Sequence, residues 1–503
     1  MSVSSVRVQC AGKSYTVSFR DGETLLSALR SAGVSVPAAC GGRGKCGKCR
    51  VAVNGVPRLA CKTMPCDGDE ITLPEAAGGT ILTQTLAVPR PAEAEAGCAA
   101  AVDLGTTTVA VRLYDLESGN ELATLSAWSA QAAYGADVIS RIQHTIDFPD
   151  GLSELSGLIR RQTEQLILQA LHDSSRSTAE LKRIFLAGNT VMQHIFAQLP
   201  VRSIAVAPFT PLSLFDSDYN DELLGVKIIY APCVAGYVGG DITAGLLASG
   251  LCGSSGENLF LDIGTNGEMA LGGRNGFLCC AVASGPAFEG AGISCGMAAL
   301  KGAVSHVRYD KGFLFDVIGG GEPRGICGSG LLDLAAVLLR LGCIDEGGRL
   351  LPPDEVPESM RKYVSDDGSG NGIFHLTPDV YLTAADVRAL QLAKSAVCAG
   401  IKLMLQRRGI EPEQLGGVCI AGGFGNYIDP ASAMDIGMLP RVSPEKLCCL
   451  GNTSLAGASM AALDPKKLVQ LRETAKMCDY IELSGRSDFT RLFTENMAFN
   501  TRR

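Results

Sequence analysis

Four cysteines near the N-terminus have a spacing that suits an iron–sulfur cluster. They are Cys40, Cys46, Cys49 and Cys61, in the pattern C-x5-C-x2-C-x11-C. Structural zinc usually takes two compact C-x2-C pairs, whereas here three thiols crowd one glycine-rich loop and the fourth follows later. The glycines allow that loop to point its N–H groups at an anionic centre. The pattern therefore predicts a [2Fe–2S] cluster and one-electron chemistry.

Alternatives remain for these ligands. A zinc site or a disulfide is the alternative chemistry, and Cys66 is the alternative fourth ligand, although its neighbours Pro65, Asp67 and Gly68 predict a turn. The spacing has one residue more than the plant-type C-x4-C-x2-C pattern. It resembles the C-x5-C-x2-C variant of the same ferredoxin class, and residues 21–33 are predicted to form the short helix that such domains place before the cluster.

A second set of chemistry-bearing residues follows two hairpins about 160 residues apart, each with the sequence Asp-x-Gly-Thr. The first set is Asp103, Gly105, Thr106 and Thr107, and the second is Asp262, Gly264, Thr265 and Asn266. Such turns present N–H and hydroxyl donors to an anion, and an aspartate at the end of the strand can hold hydrated Mg²⁺. Phosphoryl transfer depends mostly on positioning and charge neutralisation. One such turn is usually an ordinary hairpin, but the pair predicts an internal duplication with an ATPase cleft between its halves.

Further residues are candidates for the same cleft. Gly422, Gly423 and Phe424 follow a predicted buried strand in a glycine cluster that can lie flat against an adenosine. Asp241 is a candidate for water activation or Mg²⁺ binding, and the alternative is that it caps a helix. Glu289 is a second candidate carboxylate, and Ser284 and Gly285 are expected to line the phosphate route.

The two Asp-x-Gly-Thr turns and the later glycine cluster, in this order along the chain, resemble the motifs of the acetate kinase/sugar kinase/Hsp70/actin (ASKHA) superfamily. The helices predicted in 236–247 and 452–463 correspond to its two connecting helices. The implied fold is α/β, with an N-terminal β-grasp [2Fe–2S] ferredoxin domain and a duplicated, two-lobed RNase H-like ATPase domain. The predicted boundaries are a ferredoxin domain at 1–80, a linker at 81–97, lobe I at 98–256, and lobe II at 257–503 with its final helix region returning towards lobe I.

Composition and charge argue against some classes of function. The net charge is −8, but residues 1–75 carry ten Lys/Arg against six Asp/Glu, which suits a negative cluster or an acidic partner. An acidic, aromatic-poor chain argues against nucleic acid. No apolar run is long enough for a membrane span, and 19 cysteines without a signal peptide predict a cytoplasmic protein.

Over essentially its whole length the chain resembles the reductive activators of corrinoid proteins, through the segments 186–194, 208–209, 284–296 and 325–333. The resemblance implies that ATP and Mg²⁺ support one-electron reduction of a corrinoid methyl-carrier protein from Co(II) to Co(I), with reduced ferredoxin or a flavoprotein as donor. No Asp-x-His-x-x-Gly corrinoid motif occurs, so the cobalt should belong to the partner. The short stretch before Asp103 indicates that a separate middle domain of longer relatives is absent, and a homodimer is left open.

Two other functions are compatible with these motifs. A redox-linked small-molecule kinase would use the same cleft. An ATP-driven electron donor to another low-potential metalloenzyme would use both modules. The kinase would release ADP when its substrate is present, without any corrinoid protein.

Overall fold

The structure is a computed structural model, and it describes most of the chain in two compact units. The described residues are 4–10, 13–32, 34, 36, 44, 49–73, 88, 94–135, 137–264, 266–425 and 427–499. The first unit groups Met1–Ile81, Pro89–Tyr230 and Ala462–Asp464, and the second groups Leu82–Val88, Ala231–Ala461 and Pro465–Arg503. The predicted lobe boundary at 256/257 stays a prediction.

The N-terminal part is a five-stranded sheet with the order β2-β1-β5-β3-β4 and one helix. Its elements are β1 (Ser5–Cys10), β2 (Lys13–Ser18), α1 (Leu25–Ser31), β3 (Arg50–Val53), β4 (Val56–Leu59) and β5 (Glu70–Thr72). The strands β1 and β5 are parallel, and apolar residues of α1 such as Leu25 and Leu29 are buried in the core. Asn54 and Gly55 have φ values of 50° and 78°, as a tight two-residue hairpin requires. This is the predicted β-grasp domain.

The rest of the first unit is built on a six-stranded sheet with the order β10-β11-β9-β6-β7-β8. Its strands are β6 (Cys98–Leu104), β7 (Thr108–Asp115), β8 (Glu121–Trp128), β9 (Leu181–Gly188), β10 (Glu222–Leu223) and β11 (Val226–Tyr230). Its helices are α2 (Val138–Asp147), α3 (Gly151–Asp173) and α4 (Thr190–Phe196). The alanine-rich strand β6 is buried along nearly its whole length, as expected for a strand covered on both faces.

The second unit contains a six-stranded sheet with the order β22-β21-β12-β13-β14-β23 and two small three-stranded sheets. The strands of the large sheet are β12 (Asn258–Ile263), β13 (Gly267–Gly273), β14 (Gly276–Val282), β21 (Gly417–Ala421), β22 (Leu447–Gly451) and β23 (Cys478–Tyr480). The small sheets consist of β15 (Ala303–Tyr309), β16 (Phe313–Val317) and β17 (Gly325–Ile326), and of β18 (Val364–Asp366), β19 (Gly372–His375) and β20 (Tyr381–Leu382). The helices are α5 (Gly240–Ser249), α6 (Gly328–Arg340), α7 (Ala384–Arg408), α8 (Gly422–Gly425), α9 (Pro430–Asp435), α10 (Thr453–Leu463), α11 (Pro465–Lys476) and α12 (Ser487–Glu495).

The two large sheets repeat one pattern. An antiparallel hairpin, β6 with β7 in the first unit and β12 with β13 in the second, is extended by a third antiparallel strand, β8 or β14. On its other side, β9 and β11, or β21 and β22, continue the sheet as parallel strands. This repeat confirms the predicted duplicated RNase H-like fold, and it places each Asp-x-Gly-Thr turn at the same end of equivalent hairpins.

Small residues let α5 and α10 of the second unit touch at the backbone. A Cβ atom added to Gly457 of α10 would lie 2.0 Å from the carbonyl oxygen of Ala244 in α5, and one added to Gly245 of α5 would lie 2.9 Å from the hydroxyl oxygen of Thr453 in α10. These are the two helices predicted to be connecting helices, and their contact depends on glycine.

The C-terminal elements also belong mostly to the second unit. The strand β23 pairs with β14, and Lys402 of α7 donates a hydrogen bond of 2.7 Å to Asn496, directly after α12. The return towards lobe I that is predicted for the final helix region stays a prediction. None of the described helices combines the length and the apolar composition that a membrane span requires.

Candidate nucleotide and cluster sites

Two of the four predicted cluster ligands converge in the structure. The Sγ atoms of Cys49 and Cys61 lie 3.2 Å apart, although Cys49 precedes β3 and Cys61 lies in a 3₁₀ turn directly after β4. The Ala60 amide donates to the Cys49 carbonyl oxygen at 2.8 Å, which fixes the two segments to each other. A pair of adjacent thiols is the donor set that an iron of a [2Fe–2S] cluster takes. Cys40 and Cys46 lie outside the described residues.

The alternative ligand Cys66 lies in a turn. Its N–H donates to the Asp69 carboxylate at 2.8 Å, and its carbonyl oxygen accepts from the Asp69 amide at 3.1 Å. Its side chain is exposed, whereas that of Cys49 is buried and that of Cys61 is half-buried. This geometry favours Cys61 as the fourth ligand.

Residues 105–107 form a turn after β6, here called the first turn. Hydrogen bonds from residues of other elements hold it in place. Asn189, the N-cap of α4, donates from its amide to the Thr106 hydroxyl at 2.9 Å. The hydroxyl accepts this bond and keeps its own proton for another acceptor. Arg141 of α2 donates to the Thr106 carbonyl oxygen, and the Ser129 amide donates to the Thr107 carbonyl oxygen at 2.9 Å. The turn is thus fixed, with the Thr106 hydroxyl available to an anion.

The turn of residues 264–266 after β12, here called the second turn, carries a group of carboxylates. Asp262 and Glu268 are directly opposite in the antiparallel register of β12 and β13, so their side chains share one face of the sheet. Burial, followed by the nearby carboxylates of Asp241 and Asp262, raises the pKa of Glu268 well above its usual value. Asn266 donates a hydrogen bond to Glu268 and opposes that rise.

Two predicted residues lie against the second turn. The Ser284 hydroxyl donates to the Gly264 carbonyl oxygen at 2.9 Å. Glu289 places its Oε1 atom 3.6 Å from the position that a Cβ atom would take on Gly264. Gly285, between them in the chain, has a φ of 76° and is the N-cap of the 3₁₀ turn Pro286–Glu289. The structure therefore brings Ser284 and Glu289 to the second turn, and their predicted roles at the nucleotide stay predictions.

The glycine cluster after β21 also meets this site. Gly422 has a φ of 85°, and a Cβ atom there would lie 2.4 Å from an oxygen of the Asp262 carboxylate. Any other residue would be strained and would displace that carboxylate. Gly423 is exposed beside it. Thr265 and the side chain of Phe424 lie outside what the structure describes.

Asp241 is in the first turn of α5, but it is not the helix cap. The N-cap position is Gly239, and Asp241 accepts a bond of 2.9 Å from the following Ile242 amide. Because it also acts on Glu268, it belongs to the carboxylate group of the second turn. In the first unit, by contrast, Asp103 is opposite Ala110, so that turn has no equivalent pair.

Two residues of these sites are not among those predicted from the sequence. Glu268 could have been found from hairpin register, because a three-residue turn after Ile263 puts it opposite Asp262. Arg141 had no signal, since it is 35 residues from Thr106 in the chain and no motif surrounds it.

Oxygen ligands of this kind suit a hard cation. Asp241, Asp262 and Glu268 offer carboxylate oxygens, which Mg²⁺ prefers, and the repulsion within the group falls when a cation binds. Among the described residues, no three His, Cys, Asp or Glu side chains come together closely enough to hold a metal ion by themselves. A Mg²⁺ ion at the second turn would therefore take most of its ligands from the nucleotide and from water.

Comparison with known proteins identifies the chain. Family models match residues 8–72 as a 2Fe-2S iron-sulfur cluster binding domain, residues 98–254 as the RACo middle region, and residues 257–503 as the C-terminal ASKHA domain of RACo. A solved reductive activator for corrinoid, iron-sulfur protein aligns with a TM-score of 0.71 and 30% identity over 98% of both chains. The corrinoid activation enzyme RamQ of Eubacterium limosum is 33% identical over 416 residues, which are 79% of this chain and 70% of RamQ.

This chain belongs to the RACo family of reductive activators of corrinoid proteins. A more distant relative, the [Co(II) methylated amine-specific corrinoid protein] reductase of Methanosarcina barkeri, is 25% identical over 444 residues, which are 80% of this chain and 77% of that reductase. As a RACo protein the chain is an ATP-dependent enzyme, and its cofactors are a [2Fe–2S] cluster and Mg²⁺ with ATP. The middle region of the family is present and coincides with predicted lobe I, which corrects the expectation that a middle region is absent.

Replacing Cys61 by Ser should remove or strongly shift the visible absorption and electron paramagnetic resonance of the [2Fe–2S] cluster, because a thiolate ligand is lost. Replacing Cys66 by Ser is the matched control and should leave both spectra unchanged. Spectra of the two purified variants with their iron content check this prediction. Loss of the cluster in the Cys66 variant alone would contradict it.

Replacing Glu268 by Gln should stabilise the protein without Mg²⁺ at pH 8. A raised carboxyl pKa means that the folded state holds a proton that the unfolded state loses, so stability falls as pH rises from about 4.5 through the folded pKa. Thermal unfolding at pH 5 and pH 8 should therefore show a smaller fall for the variant than for the natural protein.

The control for this measurement is Gln in place of the exposed Glu358, which should leave the pH dependence unchanged. An equal fall in the Glu268 variant and the natural protein would show that Glu268 carries no such proton.

Proposed function

We propose that this protein reduces the cobalt of a corrinoid methyl-carrier protein from Co(II) to Co(I), with one electron from its [2Fe–2S] cluster and with ATP hydrolysis. The observation that carries the proposal is that one chain joins a [2Fe–2S] domain to the RACo ASKHA domain and aligns over 98% of its length with a reductive activator. A small-molecule kinase would have no need of the N-terminal domain.

ATP is needed because such a reduction is uphill for ordinary donors. Each 59 mV of one-electron deficit costs about 1.4 kcal/mol. A nucleotide can shift this equilibrium only if it binds two states of the complex with different affinity. In the proposal, Asp262, Glu268 and Asp241 hold Mg²⁺ with ATP, and the state of the nucleotide sets which form of the corrinoid protein is bound.

The roles of individual residues follow from their contacts. The first turn would bind a phosphate group through backbone amides and the Thr106 hydroxyl. Glu289 and Asp241 are the candidates to orient the attacking water, since both lie at the second turn. When bound, the cluster supplies a one-electron store, and Cys40, Cys46, Cys49 and Cys61 are its proposed ligands.

The electron donor is proposed to be an acidic reduced ferredoxin or flavoprotein. Residues 24–66 carry seven Lys/Arg and no Asp/Glu. Three of these, Arg50, Arg58 and Lys62, are exposed and form no ion pair with any described residue. They flank Cys49 and Cys61 in the chain. Unpaired positive charge close to the cluster ligands in the chain suits a transient interface with a partner of opposite charge.

A cytoplasmic location is part of the proposal. It is supported by the many free thiols, which persist in a reducing compartment.

Replacing Asp262 by Asn should lower the rate of ATP-dependent Co(I) formation by about 100-fold or more, because a carboxylate of the proposed magnesium site is lost. The visible spectrum of the cluster should stay unchanged. The measurement is anaerobic spectroscopy of a co-encoded corrinoid protein mixed with the activator, ATP and a reductant, with ATP hydrolysis followed in parallel. Asn in place of the exposed Asp479, on β23 of the same sheet, is the control. Full activity of the Asp262 variant would contradict the proposed nucleotide site.

Replacing Arg50, Arg58 and Lys62 together by Glu should slow cluster reduction by an acidic flavodoxin about tenfold or more at low ionic strength, because electrostatic attraction accelerates encounter. The difference should disappear at high salt. Reduction by a small uncharged reductant and a single Arg7→Glu change on β1 are the controls. Equal rates with flavodoxin at low salt would show that the donor binds elsewhere.

A further inference from the structure

A fully buried arginine lies beneath the first turn. Arg141 is in the first turns of α2, and its exposed fraction is 0%. Its guanidinium donates to the carbonyl oxygens of Thr106 and Gly135, to the Gln131 side-chain oxygen at 3.0 Å, and to the Met192 sulfur at 2.8 Å. All four acceptors are uncharged.

This cation has no ion pair among the described residues. The nearest acidic influence is Asp137, whose carboxylate caps α2 by accepting the Ser140 amide at 2.7 Å. Burial lowers the pKa of Arg141 to about 9, so the group is still charged at neutral pH. A buried charge without a counter-charge is costly, and a site that retains one needs a reason.

Other buried or half-buried arginines of the same unit form ion pairs. Arg112, which is 5% exposed, pairs with Glu121 at 3.3 Å. Arg160, which is half-buried, pairs with Asp221 at 2.8 Å. The missing partner of Arg141 is therefore particular to its position and is not general to the unit.

The contact with Thr106 also sets the direction of a peptide group. In a trans peptide the C=O and N–H groups point in opposite directions. Because Arg141 binds the Thr106 carbonyl oxygen, the Thr107 N–H must point away from Arg141, as an anion bound at the turn requires. The same arginine thus orients a donor and supplies a positive charge behind it.

We propose that Arg141 is a positioning residue for phosphate binding, which fixes the Thr106–Thr107 peptide and provides the counter-charge for a phosphate group of the nucleotide at the first turn. The inference rests on the proposed function, since it takes the first turn as a phosphate site. It predicts that Arg141 affects binding of the polyphosphate and not of the nucleoside.

The test compares equilibrium binding of ATP, ADP and adenosine to the full protein carrying its cluster. Arg141→Met should weaken ATP and ADP binding by about 10- to 100-fold, the size expected for a hydrogen-bonded charge, while adenosine affinity changes less than about twofold. Arg141→Lys keeps the charge and should lie between. Arg112→Met is the matched control, because it removes a buried arginine of the same unit that already has a partner.

A purely structural role would give another result. It would weaken ATP and adenosine binding by the same factor, or leave both unchanged in a folded variant, and either outcome overturns the inference. Cluster absorbance and thermal unfolding show whether each variant is folded, and the Lys variant covers the case in which Met does not fold. Failure of the natural protein to bind ATP would instead contradict the proposed function.

Discussion

Asp262 on β12 and Glu268 on β13 are direct cross-strand neighbours, and the repulsion between their carboxylates is the interaction on which this structure depends most. Two carboxylates on one face of a hairpin repel each other, and Asp241 adds a third negative group to the same site. The repulsion and the burial raise the pKa of Glu268 well above its usual value, and a divalent cation bound at the second turn would reduce the repulsion. Gly422 leaves room for the Asp262 carboxylate, so the strand order that brings β21 beside β12 is part of the same arrangement.

Duplication gave the two units equivalent hairpins with opposite electrostatics. At the first turn, Asp103 is opposite an alanine and a buried arginine lies behind the backbone. At the second turn, the opposite residue is a glutamate and the neighbours are acidic. The first is therefore suited to an anion and the second to a cation.

Much of this was predictable from sequence because hairpins, glycine turns and cysteine spacing are local. The β-grasp domain, the duplicated sheets and the positions of Ser284 and Glu289 followed from motifs that span a few residues. Arg141 did not, since its role arises from packing of α2 under a distant turn and its residue type is common. The sequence left Asp241 as either a helix cap or a site residue. The start of α5 at Gly240, and the effect of the Asp241 carboxylate on the pKa of Glu268, favour the site residue.

The central claim is that ATP makes the electron of the N-terminal domain usable by a corrinoid protein. The most direct measurement is the yield of Co(I) when activator with a pre-reduced cluster is mixed anaerobically with the Co(II) corrinoid protein, with and without Mg²⁺ and ATP. The account predicts that Co(I) accumulates only with both, and that ATP hydrolysis increases when the Co(II) protein is present. The same Co(I) yield without ATP would contradict it.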